Sequence, residues 1–471
     1  MSFRKSLGVA LATFSAAILA SCSGGNDEMA VEGLLDETEV EAASAPTLTG
    51  KFLHLSDIHF DPTADGFGPK LAKAKSVDEW KTILKPAEAF PMSNNNSGRR
   101  DSNYGLMISA LDEAKKQGPY DFIVYTGDYL PHYFIQGKPS DISDTDFKAG
   151  SIALVNGLIK DRFGDTPLIA ALGNNDAAPG DYLLQQNSDF LDQVGQSIPV
   201  VKGDAAATKS FKAGGNYLVS PPNLPVDFLV LSVFWSHEYP GQTRHCGRHP
   251  ATAGNAQMKF LTDTLGNRTD TDRPLMLVTH IPPGMDGFSS RKNSEARHQW
   301  CEDHDYLSDF LSAVSGSKDD FAMAFAGHTH MDSFRVLSDQ SSPYLAMRIG
   351  PAVTTWNGNA PSFTVMDYNT TDGAVSDYNV YTLTNVDDNV PAAKATWSKE
   401  YSFASAYGSG GYTAKKLASV ADSIETGTGS DYTAFTTYYK AEPGMPRQWR
   451  YFACATNELS DSAYNSCATG R

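Results

Sequence analysis

Cysteine is scarce, with five in 471 residues. That is too few for a disulfide-framed scaffold, so the fold must rest on a hydrophobic core. Positive charge is also in deficit, 38 Lys+Arg against 55 Asp+Glu for a formal charge of −17. This excludes a protein that wraps nucleic-acid polymers, whose phosphates are bound mainly by Lys and Arg. A small anionic substrate is not excluded, because bound metal cations reverse the local field. Beyond the N-terminus no run approaches the roughly 20 apolar residues of a membrane-spanning helix. No internal repeat is found, and Gly408–Gly411 is a local loop. What is present, 41% hydrophobic and 20% charged residues, is the balance of a soluble globular protein. The length exceeds what one core usually fills, so a large domain with a smaller companion is expected.

Residues 1–21 read as an export signal, with Arg4 and Lys5 ahead of an apolar Leu7–Ala20. Leu19-Ala20-Ser21-Cys22 resembles the bacterial lipobox, which implies cleavage before Cys22 and a lipid on its sulfur. The expected location is a bacterial membrane, periplasmic or cell-surface, with simple secretion as the alternative. Residues 22–50 are an acidic tether carrying Asp27, Glu28, Glu32, Asp36, Glu37, Glu39 and Glu41. Export favours disulfides. Cys454 and Cys467 are close in sequence and are expected to pair, which leaves Cys246 with Cys301 by elimination.

The body alternates apolar runs and helical patterns, which argues for an α/β domain. Strands are expected near Lys51–Ser56, Asp121–Thr126, Pro167–Leu172, Phe228–Phe234, Leu275–Thr279 and Phe321–Ala326. Helices are expected near Tyr104–Lys116, Lys148–Arg162 and Gly254–Leu265. Tyr344–Ile349, Ser362–Asp367 and Val375–Leu383 follow as strands without intervening helices. This places a catalytic domain at 51–389 and a small helical subdomain at 390–471.

Metal-binding residue types recur just after these strands: Asp57-Ile58-His59, Gly127-Asp128, Gly173-Asn174-Asn175-Asp176, His280 and Gly327-His328-Thr329-His330. In open α/β sheets ligands bind at the carboxyl ends of strands, so five distant segments can converge on one crevice. Carboxylate oxygen with imidazole nitrogen suits zinc, iron or manganese better than calcium. Asp57/His59 and His328/His330 are expected to point the same way from extended segments. The glycines beside Asp128, Asn174 and His328 permit tight turns and close backbone approach.

This constellation resembles the calcineurin-like metallophosphoesterase superfamily. HLSDIHFDP (54–62), TGDYLPH (126–132), ALGNNDAAPGD (171–181), THIPPG (279–284) and GHTHMDSF (327–334) resemble its acid sphingomyelinase-like phosphodiesterases in particular, as does the closing CATNELSDSAYNSC (454–467). The resemblance implies a four-layer α/β/β/α sandwich with a small C-terminal helical subdomain. It implies two divalent ions, zinc in the family, with iron or manganese as alternatives. Asp57, His59, Asp128 and His330 would form one site, and Asp128, Asn174, His280 and His328 the other, with Asp128 bridging. Metal-bound hydroxide would then attack phosphorus in line with the leaving oxygen. The substrate expected is a small phosphodiester or pyrophosphate of nucleotide type, because only an acidic tether, not a lipid-binding domain, precedes the catalytic part. A sphingomyelin or other lipid head-group ester is the runner-up, and a monomer is expected.

One position departs from the family, which usually has His after Gly-Asn; here it is Asn175. An amide can hydrogen-bond a phosphate but cannot donate a proton as imidazolium does. His132 matches a second family histidine and becomes the candidate general acid. A weakly active or non-catalytic metal-containing binder, and a phosphomonoesterase, are the competing readings. Of the remaining residues, His54 reads as structural, Asp61 as a candidate to orient a ligand, and Trp235, Tyr239 and Trp356 as core or cleft wall.

Overall fold

The computed structural model describes residues 48–470 apart from 93–99, 133, 135–139, 184, 233–251, 270, 301–305, 340–341, 387–389 and 441–447. The described strands are β1 (Thr49–Leu55), β2 (Phe122–Tyr125), β3 (Leu168–Ala170), β4 (Tyr217–Val219), β5 (Asp227–Leu231), β6 (Leu275–Thr279), β7 (Phe321–Ala326), β8 (Ser333–Asp339), β9 (Ser342–Ile349), β10 (Ser362–Asn369), β11 (Val375–Leu383) and β12 (Trp397–Ser402). They form two six-stranded sheets, ordered β12-β11-β10-β1-β2-β3 and β4-β5-β6-β7-β9-β8. β1, β2 and β3 are parallel, as are β5, β6, β7 and β9, whereas the outer strands pair antiparallel.

The sheets meet through aromatic side chains. Phe52 of β1 stacks on Phe122 of β2 at 4.4 Å, and Phe122 meets Phe228 of β5 edge-on at 5.0 Å. Successive residues of a strand face opposite ways. Accordingly Phe228, Val230, Met276 and Val278 enter the core between the sheets. Their neighbours Leu229, Leu231, Leu275 and Leu277 pack instead with Met258 and Leu261 of helix Thr252–Gly266 and with Phe310 of helix Tyr306–Gly316. Helices Tyr104–Gln117 and Asp144–Phe163 pack on one another, the former also on β10 of the other sheet. The result is a mixed α/β sandwich of helix, sheet, sheet and helix.

β4, β8 and β12 escaped the sequence reading. β12 (WSKEYS) lies in the stretch read as helical, yet it pairs with β11. It is an edge strand whose Ser398 and Lys399 are exposed, so it carries polar residues where a buried strand would show apolar ones. Apart from a single 3-10 turn at Ala392–Lys394, helices in this stretch begin at Phe403. Their Leu417, Val420, Ile424 and Phe435 join the same core as the sheets, so Thr47–Arg471 form one compact unit. Cys454 and Cys467 are disulfide-bonded, linking the last two helices. The signal, the tether up to residue 47 and the Cys246–Cys301 pairing lie outside the described residues. Among those described, no helix is long and apolar enough to cross a membrane.

Candidate metal centre

The loops after β1, β2 and β7 turn sharply as they leave the sheets. Asp57, His59, Asp128, His328 and His330 all take positive φ, between 45° and 69°. The extended geometry expected for Asp57/His59 and His328/His330 is therefore corrected. Left-handed kinks at alternate residues, not a continued strand, turn the side chains into one crevice. Such conformations cost about 1–3 kcal/mol each for non-glycine residues and cluster at functional sites. Glycine gives the loops their closeness. A Cβ on Gly327 would sit 2.1 Å from Ser56 Oγ, and one on Gly173 would sit 2.1 Å from Asp128 Oδ1. Gly327→Ala is therefore expected to destabilise the fold by about 1–3 kcal/mol and to weaken metal binding. Urea titration and elemental analysis check this, and unchanged metal content would show that the loop yields.

Two groups of electron-pair donors result. In the first, His59 Nδ1 donates to the Leu130 carbonyl at 2.8 Å, which fixes its proton there and turns Nε2 inward. That Nε2 lies 3.1 Å from His330 Nε2, 3.3 Å from Asp128 Oδ2 and 3.8 Å from Asp57 Oδ1. His330 Nε2 is 3.6 Å from Asp57 Oδ1. In the second group, His280 Nδ1 donates to the Thr126 carbonyl at 2.7 Å, again turning Nε2 inward. It faces Asp128 Oδ2 at 3.2 Å and Asn174 Oδ1 at 3.0 Å, and His328 Nδ1 is 2.9 Å from the same Asn174 oxygen. Asn174 is oriented by its own Nδ2, which donates to Asp181 Oδ1 at 2.8 Å. Asp128 belongs to both groups.

Lone pairs gathered this closely repel unless positive charge stands among them, so the donor set fits divalent cations. The electrostatics agree. Burial disfavours the charged form of His59, but Asp128, Asp57 and Asp101 outweigh it and lift its pKa to about 10. Asp128 and Asp57 likewise outweigh burial at His280 and lift it to about 9. Burial opposes ionisation of Asp128, yet His280 and His59 hold it well below the ordinary carboxylate range. The crevice favours positive charge.

His132 stands beside the first group. Its ring is sandwiched between His59, stacked at 4.1 Å, and Trp356, stacked at 4.2 Å. Asp101 clamps it from behind: Oδ2 accepts from the His132 backbone N–H at 2.8 Å and Oδ1 lies 2.9 Å from Nδ1. Burial and the neighbouring His59 hold its pKa below the ordinary histidine value, and Asp101 offsets only part of that. Asn175 is committed elsewhere. Its backbone N–H and its Nδ2 each donate to Asp128, to Oδ1 and Oδ2 respectively, both at 2.9 Å.

All nine candidate residues thus come together. The sequence reading missed their supports. Asp176 accepts from the backbone N–H of Gly173, Tyr129 and Leu130 at 2.9–3.1 Å, stapling two of the loops. Burial and Asp128 lift its pKa to about 7. Its place in GNND, two residues past Asn174, was the available signal. Asp101 carries no such signal, being an isolated acid in a polar stretch. Asp61, the residue expected to orient a ligand, instead caps Thr63 through its N–H and hydroxyl. His54 is buried and neutral, its pKa lowered to about 3 by burial and Arg348. Trp356 borders the crevice. Trp235, Tyr239, His237, His245, His249 and His304 lie outside the described residues.

Comparison with known proteins follows the same lines. Residues 50–332 match the family described as calcineurin-like phosphoesterase. A sphingomyelinase phosphodiesterase C of Dictyostelium discoideum is 27% identical, over 76% of this chain and 78% of its own. The cyclic GMP-AMP phosphodiesterase SMPDL3A of Rattus norvegicus is 25% identical, over 90% of this chain and 93% of its own. The human acid sphingomyelinase-like phosphodiesterase 3b is 26% identical, over 89% and 90%.

Proposed function

The chain belongs to the calcineurin-like phosphoesterase family, and on that premise we propose that it is an exported, two-metal phosphodiesterase acting on small polar phosphodiesters or pyrophosphates. The observation that carries the two-metal reading is the pair of donor groups sharing Asp128, whose Oδ2 lies 3.3 Å from His59 Nε2 and 3.2 Å from His280 Nε2. Asp57, His59, Asp128 and His330 would hold one cation, and Asp128, Asn174, His280 and His328 the other. When bound, two such cations supply Lewis-acid polarisation of the phosphoryl group and an acidified water. Zinc is the cation we assign, on the mixture of imidazole and carboxylate donors.

The chain's own residues do the rest. Asn175 holds the Asp128 carboxylate in one orientation, and Gly173 leaves the room that carboxylate occupies. His132, with Asp101 accepting from Nδ1, can offer Nε2–H to a departing oxygen and keep a proton on Nδ1 afterwards. Trp356 and His59 cover its two faces and restrict water around it. For the substrate, the cyclic GMP-AMP phosphodiesterase that aligns over 90% of this chain supports a nucleotide-type diester. For location, the lipobox-like Leu19–Cys22 supports a lipid anchor at Cys22.

Metal content and turnover of bis-nitrophenyl phosphate, measured on one purified sample before and after chelation, test the core of this reading. The expected result is two ions per chain and diester hydrolysis that chelation removes and zinc restores. Metal without turnover of any diester would make the protein a binder, and preference for nitrophenyl phosphate would make it a monoesterase. A cyclic dinucleotide assayed beside sphingomyelin vesicles separates the two diester classes.

A further inference from the structure

We infer that His54, Thr126 and Ser56 form a directed hydrogen-bond relay that positions Asp57, and that this relay sets cation affinity in the Asp57 group alone. The inference rests on the metal-centre reading above.

The direction follows from the end that can only accept. A carboxylate has no proton to give, so the Ser56 hydroxyl donates to Asp57 Oδ2. With that proton used, Ser56 Oγ accepts from the Thr126 hydroxyl at 2.6 Å. Thr126 Oγ1 must then accept from His54 Nε2 at 3.2 Å. Each link dictates the next, and the last dictates the imidazole tautomer, with its proton on Nε2. His54 Nδ1 finds no hydrogen-bond partner among the described residues. That suits a nitrogen without a proton, because a buried acceptor left unpaired is tolerated better than a buried N–H.

The relay is sealed. His54, Ser56, Thr126 and Asp57 are at most 1% exposed. A Cβ on Gly350 would come 2.8 Å from His54 Cε1, and one on Gly327 would come 2.1 Å from Ser56 Oγ, so the backbone closes tightly on both at those glycines. In such surroundings successive hydrogen bonds polarise one another. Donation from Ser56 to Oδ2, together with the His328 backbone N–H that both carboxylate oxygens accept at 3.1 Å, fixes the Asp57 carboxylate and leaves Oδ1 turned to His59 and His330. Thr126 touches the other group too, but only through its backbone carbonyl, which holds His280. A change confined to the Thr126 side chain therefore separates the two groups.

The experiment is a zinc competition titration of the full chain against a chromogenic chelator. Two binding steps are expected for the wild type, with Asp57→Asn identifying the Asp57 step. Thr126→Val is nearly isosteric and cuts the relay. It is expected to weaken that step by about tenfold, the lower end of what outer partners of metal ligands contribute, and to leave the other unchanged. Ser56→Ala cuts a different link and should give the same pattern, whereas Thr126→Ser should restore affinity. His54→Phe keeps a ring against Phe325 at 5.3 Å and should weaken the same step. Two wild-type steps that Thr126→Val leaves untouched, or weakens equally, overturn the relay alone. A wild-type chain that binds no zinc overturns the metal-centre reading and the relay with it.

Discussion

Asp128→Asn is expected to remove both cations from the protein and with them all measurable diester hydrolysis. Asp128 is the one side chain common to both donor groups, with Oδ2 at 3.3 Å from His59 Nε2 and 3.2 Å from His280 Nε2. An amide at that position carries no charge, so the bridging anion that offsets repulsion between two neighbouring cations is lost. Whichever way the amide turns, it also conflicts with Asn175, which already aims one N–H at each carboxylate oxygen. Removing one partner from a buried charged set costs about 3–5 kcal/mol. At about 1.4 kcal/mol per tenfold, that is on the order of 10²–10⁴ in affinity. Asp57→Asn is the informative contrast: among the donor atoms Asp57 faces only His59 and His330, and it meets the second group only by accepting from the backbone N–H of His328 at 3.1 Å, so the second ion should stay in place. Elemental analysis of the dialysed variants, beside bis-nitrophenyl phosphate turnover, reads both outcomes. An Asp128→Asn protein that keeps two ions and a tenth of wild-type turnover would remove Asp128 from the bridging role.

The convergence of these residues was legible in the sequence for a physical reason. Parallel strands end at one edge of a sheet, and Asp57, Asp128, Asn174, His280 and His328 each follow an apolar run short enough to be a buried strand. The run gives the location and the residue type gives the chemistry. β6 and β7 fall at the expected residues because both faces are buried and their apolar runs are unbroken. The same logic fails at β12, whose solvent-facing Ser398 and Lys399 erase the apolar signal. It fails again in the loops. Alternation of Asp57 and His59 looks like a strand in letters, but both residues adopt positive φ, which no side-chain pattern announces. Asp101 was invisible because its role depends on its lying 2.9 Å from a residue 31 positions away. Asp176 was partly visible, since it stands in the motif, but its three backbone partners belong to two loops that only the fold brings together.

His132→Ala is expected to lower turnover of a diester with a poor, alkoxide-type leaving group by about 10²–10⁴, the range of a positioned general acid. The same variant should lose far less with a nitrophenolate leaving group, which departs without a proton. That split distinguishes a proton donor from a residue that merely packs between His59 and Trp356, whose loss would slow both substrates alike. Asp101→Asn should move in the same direction by less, because the imidazole keeps its place between two rings but loses the acceptor behind Nδ1. Asn175 sharpens the argument. Comparison with the usual histidine suggests a lesion that Asn175→His would repair. Yet Asn175 spends its amide on Asp128, so an imidazole there forfeits one of the two hydrogen bonds that orient the shared carboxylate. Asn175→His is therefore expected to bind metal less tightly than the wild type and to hydrolyse the alkyl diester no faster. Combined with His132→Ala, it should restore nothing. Recovery of the alkyl-diester rate in that double variant would show that the departing oxygen lies beside residue 175 and that His132 is not the group protonating it.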